Sequence, residues 1–246
     1  MQSLRPNLEV LIWDLDGVVT DTSTMHMRAW IEALSREYGV TDAIGNQEYE
    51  EFFNGVPRYV GIKRFIDSRS KRLDNSLVDD SSIEKIASKL AADKCEIFRS
   101  YLKTEDVRVF EDSLSIIHQF RGIGVPSCLA SQSQNAEEVI QKAGIDHLFL
   151  SVASGNTAKV SSVKSKPDPD FYRHASDLAG IPINRAIVFE DTYAGAYSSV
   201  SAGALCTIGV ARQSSRYSEL TSAGCDMVVR DLNGLCSLVS TFNRNT

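Results

Sequence analysis

The stretch LEVLIWDLDG, Leu8–Gly17, is an apolar run with β-branched and aromatic residues that stops abruptly at two carboxylates and a glycine. It reads as a buried strand followed by a sharp turn, with Gly17 supplying the backbone freedom. Asp14 and Asp16 stand two apart, so a simple strand points both side chains the same way. Two convergent carboxylates repel one another unless a cation joins them, and a divalent oxygen-seeking ion such as Mg²⁺ is the natural partner. An Asp-Gly pair at a strand end also makes an ordinary turn, so this segment alone leaves both readings open.

Working outward, comparable apolar runs recur at Val125–Ala130, Ala186–Glu190 and Ala204–Val210, with a weaker one at Met227–Val229. Helix-like segments lie between them at Glu111–Arg121, Asn135–Ala143, Pro169–Ala179 and Tyr193–Ala202, several closed by a glycine. That alternation predicts an α/β protein built on a parallel sheet flanked by helices. Between about Thr22 and Arg108 the strand signals vanish. Met27, Trp30, Ile31 and Leu34 are spaced as one helix face, and Ile83, Ile86, Leu90, Ile97 and Phe98 suggest a further long amphipathic helix or two after a DNSLVDDSS loop. An all-α domain over 22–108 is therefore expected to interrupt a core made of 1–21 and 109–246.

The 246 residues suffice for such a core with an insertion, and 43% hydrophobic with 24% charged residues is ordinary for a soluble protein. No apolar run is long enough to span a bilayer. The N-terminal apolar run reaches its acidic motif too soon for a cleavable leader, so a cytoplasmic location is expected. Five scattered cysteines, Cys95, Cys128, Cys206, Cys225 and Cys236, lack any C-x-x-C spacing and read as small buried hydrophobes. The net charge of −6 disfavours nucleic acid and anionic membrane as partners, so an anionic ligand needs locally concentrated positive charge.

Three further strand ends place suitable groups at the edge where α/β sheets bind ligands. Ser131 follows VPSCLA and offers a hydroxyl with neighbouring amides for a phosphate oxygen. Lys166, in KSKPDPD, offers a cation, and Glu190 and Asp191 end AIVFE with two more carboxylates. Each alone has a plainer use as a helix cap or surface residue; together, in this order, they point to phosphate chemistry.

The segments DLDGVVTDT (Asp14–Thr22), LASQSQN (Leu129–Asn135), SKPDPDFY (Ser165–Tyr172) and FEDTYAGAYS (Phe189–Ser198) resemble the haloacid dehalogenase superfamily, in particular its β-phosphoglucomutase-like branch. The resemblance implies a Rossmann-like core whose inserted helical domain is a cap, hinged near Thr22 and Arg108. It implies Asp14 as nucleophile and Asp16 as general acid and base, with Ser131 and Lys166 completing the catalytic set. It further implies Mg²⁺ held by the Asp14 carboxylate, the Asp16 backbone carbonyl and Asp191, with Glu190 beside them or among the ligands. A carboxylate attacking phosphorus splits one hard displacement into two easier ones, which suits this set. The second aspartate favours phosphate chemistry over dehalogenation.

The same resemblance groups Thr22, His26, Arg58, Lys94, Ser133, Gln134 and Asn135 as substrate contacts. Arg58 matches a cap arginine that binds a non-transferring phosphate, His26 and Lys94 match cap positions of mutase-like members, and Ser133 and Asn135 match rim positions of the second loop. Gln134 stands where the mutase pattern has a lysine, which removes one positive charge and leaves an amide donor. A monomeric sugar-phosphate phosphatase is the expectation, with a phosphoglucomutase as the alternative.

Overall fold

The computed structural model describes residues 8–38, 45–56, 58–72 and 80–235. By its internal contacts the chain divides into two compact units, Met1–Thr22 with Asp106–Thr246, and Ser23–Glu105.

The first unit is a six-stranded parallel sheet of β1 (Val10–Trp13), β2 (Ser127–Ala130), β3 (Phe149–Ala153), β4 (Ala186–Glu190), β5 (Cys206–Val210) and β6 (Met227–Val229). Their order is β3-β2-β1-β4-β5-β6. The chain builds outward from β1 through β2 and β3, then returns to the other side of β1 for β4, which places a topological switch point between β1 and β4. The C-terminal ends of strands at such a point open a crevice suited to a ligand.

Burial explains which strands the sequence shows plainly. Every residue of β1, β2, β4 and β5 is buried, as expected for strands covered on both faces, and such strands read as continuous apolar runs. The edge strand β3, absent from the sequence reading, is only partly buried and carries Ser151 in its middle. Trp13 is fully buried, its ring stacked on Phe189 of β4 at 4.0 Å between centroids, and its indole N–H donates to Ser127 Oγ at 3.1 Å. The flanking helices are α5 (Glu111–Gly122), α6 (Ala136–Lys142), α7 (Gly155–Val160), α8 (Asp170–Ala179), α9 (Tyr193–Ala202) and α10 (Arg216–Ser222). Thr20 and Val109 form an antiparallel bridge. Beside it, the Asp21 amide donates to the Arg108 carbonyl and the Phe110 amide to the Val19 carbonyl, both at 2.9 Å.

The second unit is helical, with α1 (Ser23–Tyr38), α2 (Asn46–Phe52), α3 (Arg58–Arg72) and α4 (Asp80–Thr104). The buried face of α1 is Met25, Ala29, Trp30, Ala33 and Leu34, so Met27 and Ile31 lie at its margin rather than its centre. One continuous α4 buries Ile83, Ala87, Leu90, Ile97 and Phe98. Of the expected DNSLVDDSS loop, Asp74–Asp79 lie outside the described residues and Asp80 opens α4. Trp30, Phe52, Phe53 and Phe65 form an aromatic cluster within this unit.

Among the described residues no helix is long and apolar enough to cross a membrane. Cys95, Cys128 and Cys206 are buried free thiols; Cys225 is only partly buried, and Cys236 lies outside the described residues.

Candidate active site

Strand β1 ends at Trp13, so Asp14 and Asp16 lie beyond it and the strand alternation does not govern them. The Asp14 amide still donates to the Phe189 carbonyl at 3.0 Å, which fixes its backbone to β4. After it the chain turns: Gly17 takes φ 94°, where a side chain is disfavoured, and its amide donates to the Thr20 carbonyl at 2.8 Å. The two carboxylates consequently take different partners, which corrects the expectation of two convergent side chains.

Asp14 faces a buried ionic group. Lys166, which opens a cis peptide to Pro167, places Nζ 2.7 Å from Asp14 Oδ1, 2.6 Å from Glu190 Oε1 and 3.0 Å from the Ala130 carbonyl. Burial would lower the Lys166 pKa, and the Asp14 and Glu190 carboxylates outweigh it, holding the ammonium above its ordinary value. Burial pushes the Asp14 carboxyl well above its ordinary range; Lys166 opposes this, and Glu190, Asp191 and Asp16 add to it. Asp191 is pushed up to about 8, first by burial and then by Glu190.

Such crowding of acids is relieved by a cation. Asp14, Glu190 and Asp191 each offer a carboxylate oxygen within 4.8 Å of the others, and the buried Asp191 Oδ1 has no hydrogen-bond partner. A hard-oxygen donor set with an orphaned acceptor fits Mg²⁺. Glu190 differs from its two neighbours in being fully engaged. Its Oε1 accepts from Lys166 and from Tyr172 Oη at 2.7 Å, while its Oε2 accepts from the Asp191 amide at 3.1 Å and from the Thr192 amide and hydroxyl at 3.2 and 3.1 Å. Glu190 therefore serves the group as a hub rather than as a vacant ligand.

Asp16 faces the opposite way chemically. Thr22 Oγ1 donates to Asp16 Oδ1, Thr20 and Thr22 share a bond of 2.8 Å, and Ser131 Oγ lies 3.4 Å from Asp16 Oδ2. Thr22 is buried, with its hydroxyl on the Asp16 carboxylate. Ser131 is also buried at the end of β2, where it accepts from the Ser133 amide at 3.1 Å.

The second loop continues with Ser133, whose Oγ accepts from the Asn135 amide at 3.2 Å and whose carbonyl accepts from Gly155 at 3.1 Å. The Gln134 carbonyl accepts from Asn156 Nδ2 at 2.8 Å. Asn135 is fully buried immediately before α6, and neither amide atom of its side chain has a partner. In the helical unit, His26 stacks on Phe98 at 4.1 Å, and its Nδ1 lies 2.5 Å from Lys94 Nζ. Lys94 is 3% exposed and lies over the Phe98 ring at 4.7 Å. Arg58 is the first residue of α3; its side chain lies outside the described residues.

Tyr172, Thr192 and Gly195 lie within the quoted segments but carry no site signal of their own in the sequence. Thr192 caps α9 by accepting from the Gly195 amide at 3.1 Å, and a Cβ at position 195 would overlap the Glu190 carboxylate. Only glycine lets the start of α9 close on Glu190.

The haloacid dehalogenase-like hydrolase family matches residues 8–203, and the chain belongs to that family. It is 26% identical over 241 residues to a β-phosphoglucomutase of Mycobacterium bovis (strain ATCC BAA-935 / AF2122/97), covering 93% of this chain and 92% of that protein. It is 25% identical over 197 residues to a fructose-1-phosphate phosphatase of Escherichia coli (strain K12), covering 78% and 92%. A crystal structure of β-phosphoglucomutase from Clostridium difficile superposes with a TM-score of 0.75 at 23% identity, covering 96% of this chain and 97% of that one, which supports the fold. The protein is thus an enzyme of the haloacid dehalogenase-like hydrolases, with phosphatases and phosphoglucomutases among its relatives.

Proposed function

We propose that the protein is a Mg²⁺-dependent phosphatase of a small phosphorylated sugar, acting through a phosphoryl group carried transiently on Asp14. The observation that carries this reading is the separation of roles between the two aspartates. Asp14 sits with Lys166 and the acidic group, while Asp16 is hydrogen-bonded to Thr22 beside Ser131.

In the first step an Asp14 carboxylate oxygen attacks phosphorus and the ester P–O bond breaks. Asp16, protonated at the outset, gives its proton to the departing alkoxide. In the second step Asp16 takes a proton from water as the water oxygen attacks phosphorus, releasing phosphate and restoring both residues. Lys166 offsets charge on the phosphoryl oxygens throughout, and Ser131 donates to one of them. Mg²⁺ would be held by Asp14, the Asp16 carbonyl and Asp191, and when bound would stabilise negative charge on the transferring group. Glu190 keeps Lys166 and the start of α9 in place.

The helical unit is assigned the part of a cap that selects the substrate, with His26, Arg58 and Lys94 as its contacts; Ser133 and Gln134 are the contacts of the second loop. A mutase is the second reading, favoured by the likeness to a β-phosphoglucomutase over nearly the whole chain. Gln134 speaks against it, since a bisphosphate intermediate needs firm holding at its far phosphate and an amide lacks the charge. Phosphorus NMR of the protein with Mg²⁺ and a panel of hexose phosphates tests the choice. Release of free phosphate is expected, and rapid interconversion of 1- and 6-phosphates without release would establish the mutase instead.

A further inference from the structure

Arg212 follows β5 by two residues, at the same sheet edge as the groups above, and its guanidinium grips the turn that carries Asp16. Nε donates to the Gly17 carbonyl and Nη2 to the Val18 carbonyl, both at 3.1 Å. The same fork holds Asp112 through two bonds, Nη1 to Oδ2 at 3.0 Å and Nη2 to Oδ1 at 2.9 Å. Its plane covers the Phe110 ring at 3.6 Å. Nη2 also donates to Ser113 Oγ at 3.1 Å, and Ser113 Oγ in turn donates to the Val18 carbonyl at 2.7 Å. Asp112 is itself anchored by the Leu232 amide at 2.8 Å and the Ser113 amide at 2.9 Å.

This arrangement treats the two aspartates unequally. Asp14 is tied to the sheet by its own amide and to Lys166 by its carboxylate. Asp16 belongs to a turn whose internal bonds, Gly17 to Thr20 and both Val19 and Thr20 to Leu15, fix its shape. The place of that turn against the body of the unit is fixed by the Val109–Phe110 pairing, by Ser113 on the Val18 carbonyl, and by Arg212 on the two residues directly after Asp16. A planar, multiply bonded guanidinium stacked on a ring transmits little slack. We infer that Arg212 is a positioning residue for proton transfer: it sets Asp16 relative to the phosphoryl group on Asp14, and so matters most for substrates whose leaving group must be protonated. The inference rests on the acid–base role given to Asp16 above.

The test uses Arg212→Lys, which keeps the charge and loses the fork, with Arg212→Gln as the second variant. Amide hydrogen exchange followed by NMR reads the turn without reference to activity. Exchange at Gly17, Val19 and Thr20 is expected to quicken by about tenfold or more, while Ile12 and Val188 in the strands stay slow. Single-turnover rates with a hexose phosphate are expected to fall by about 10- to 100-fold, a part of what a general acid supplies, whereas p-nitrophenyl phosphate, whose leaving group needs no proton, changes by less than about threefold. In an Asp16→Asn background, Arg212→Lys should add little further loss. Unchanged exchange in the turn overturns the clamp. Equal loss for both esters, or full additivity with Asp16→Asn, overturns the positioning role and leaves a structural staple. A wild-type enzyme that turns over neither ester overturns the proposed reaction and the catalytic half of this inference together, with the exchange data still deciding the clamp.

Discussion

Lys166 Nζ stands 2.7 Å from Asp14 Oδ1, joining residues 152 positions apart in a single buried ion pair. The same ammonium reaches Glu190 and the Ala130 carbonyl, so one side chain ties together the ends of β1, β2 and β4.

Replacing Lys166 by Gln removes the charge that two buried carboxylates share. We expect turnover to fall by about 100-fold or more, and stability to fall by about 3–5 kcal/mol as the carboxylates are left uncompensated. Urea unfolding and steady-state kinetics measure the two effects. Turnover within threefold of wild type would remove Lys166 from the chemistry.

The division between Asp14, Asp191 and Asp16 gives a metal-binding prediction. Asp191 has a buried carboxylate oxygen without a partner, whereas the Asp16 carboxylate is taken by Thr22 and Ser131. Calorimetric Mg²⁺ titration should show Asp191→Asn losing affinity by about tenfold or more and Asp16→Asn staying near wild type. Equal losses in the two variants would count against a backbone contact from Asp16.

Asp112 links stability to pH. Burial would raise its carboxyl, but the hydrogen bonds and charge of Arg212, with the Leu232 and Ser113 amides, outweigh that and hold it below its ordinary value. The unfolded chain then binds the more protons between the two values, so stability rises with pH across that window. The contribution is complete above the unfolded carboxylate value of about 4 and fades as pH falls through the lower folded value. Asp112→Asn loses the charged hydrogen bonds to Arg212 and should destabilise by about 1.5–3 kcal/mol at neutral pH, with the gap to wild type narrowing in acid below about pH 4. A gap independent of pH would contradict the charged pair.

Gln134→Lys restores the charge that separates this loop from the mutase pattern. Asn156 grips the backbone carbonyl of residue 134, so the exchange leaves that anchor in place. Hexose bisphosphate binding should tighten by about 1–3 kcal/mol, and the ratio of isomerised to hydrolysed product should rise. If wild type already isomerises far faster than it hydrolyses, Gln134 suffices as a ligand and the phosphatase reading fails.

How much of this was legible in sequence follows from where each signal resides. Strands β1, β2, β4 and β5 are buried on both faces, so their composition alone exposes them, and β1, β2 and β4 lead directly into Asp14, Ser131 and the Glu190–Asp191 pair, which mark the site. Strand β3 lies at an edge and shares its burial with solvent, which blurs its pattern. Tyr172, Thr192 and Gly195 matter through Glu190, and Arg212 through Asp112 a hundred positions away; single-residue types carry no trace of such pairings. The motif position of Asn135 carries no sign of its complete burial, which depends on residues distant in sequence.

The central claim is a phosphoryl group on Asp14. The direct measurement is acid quench of the enzyme during turnover of a sugar phosphate with Mg²⁺, followed by borohydride reduction and peptide mapping, since reduction converts an aspartyl phosphate to homoserine. Homoserine is expected at position 14 in the wild type, and neither homoserine nor turnover in Asp14→Asn. Steady release of phosphate with Asp14 unmodified, or trapping at a different residue, would contradict it.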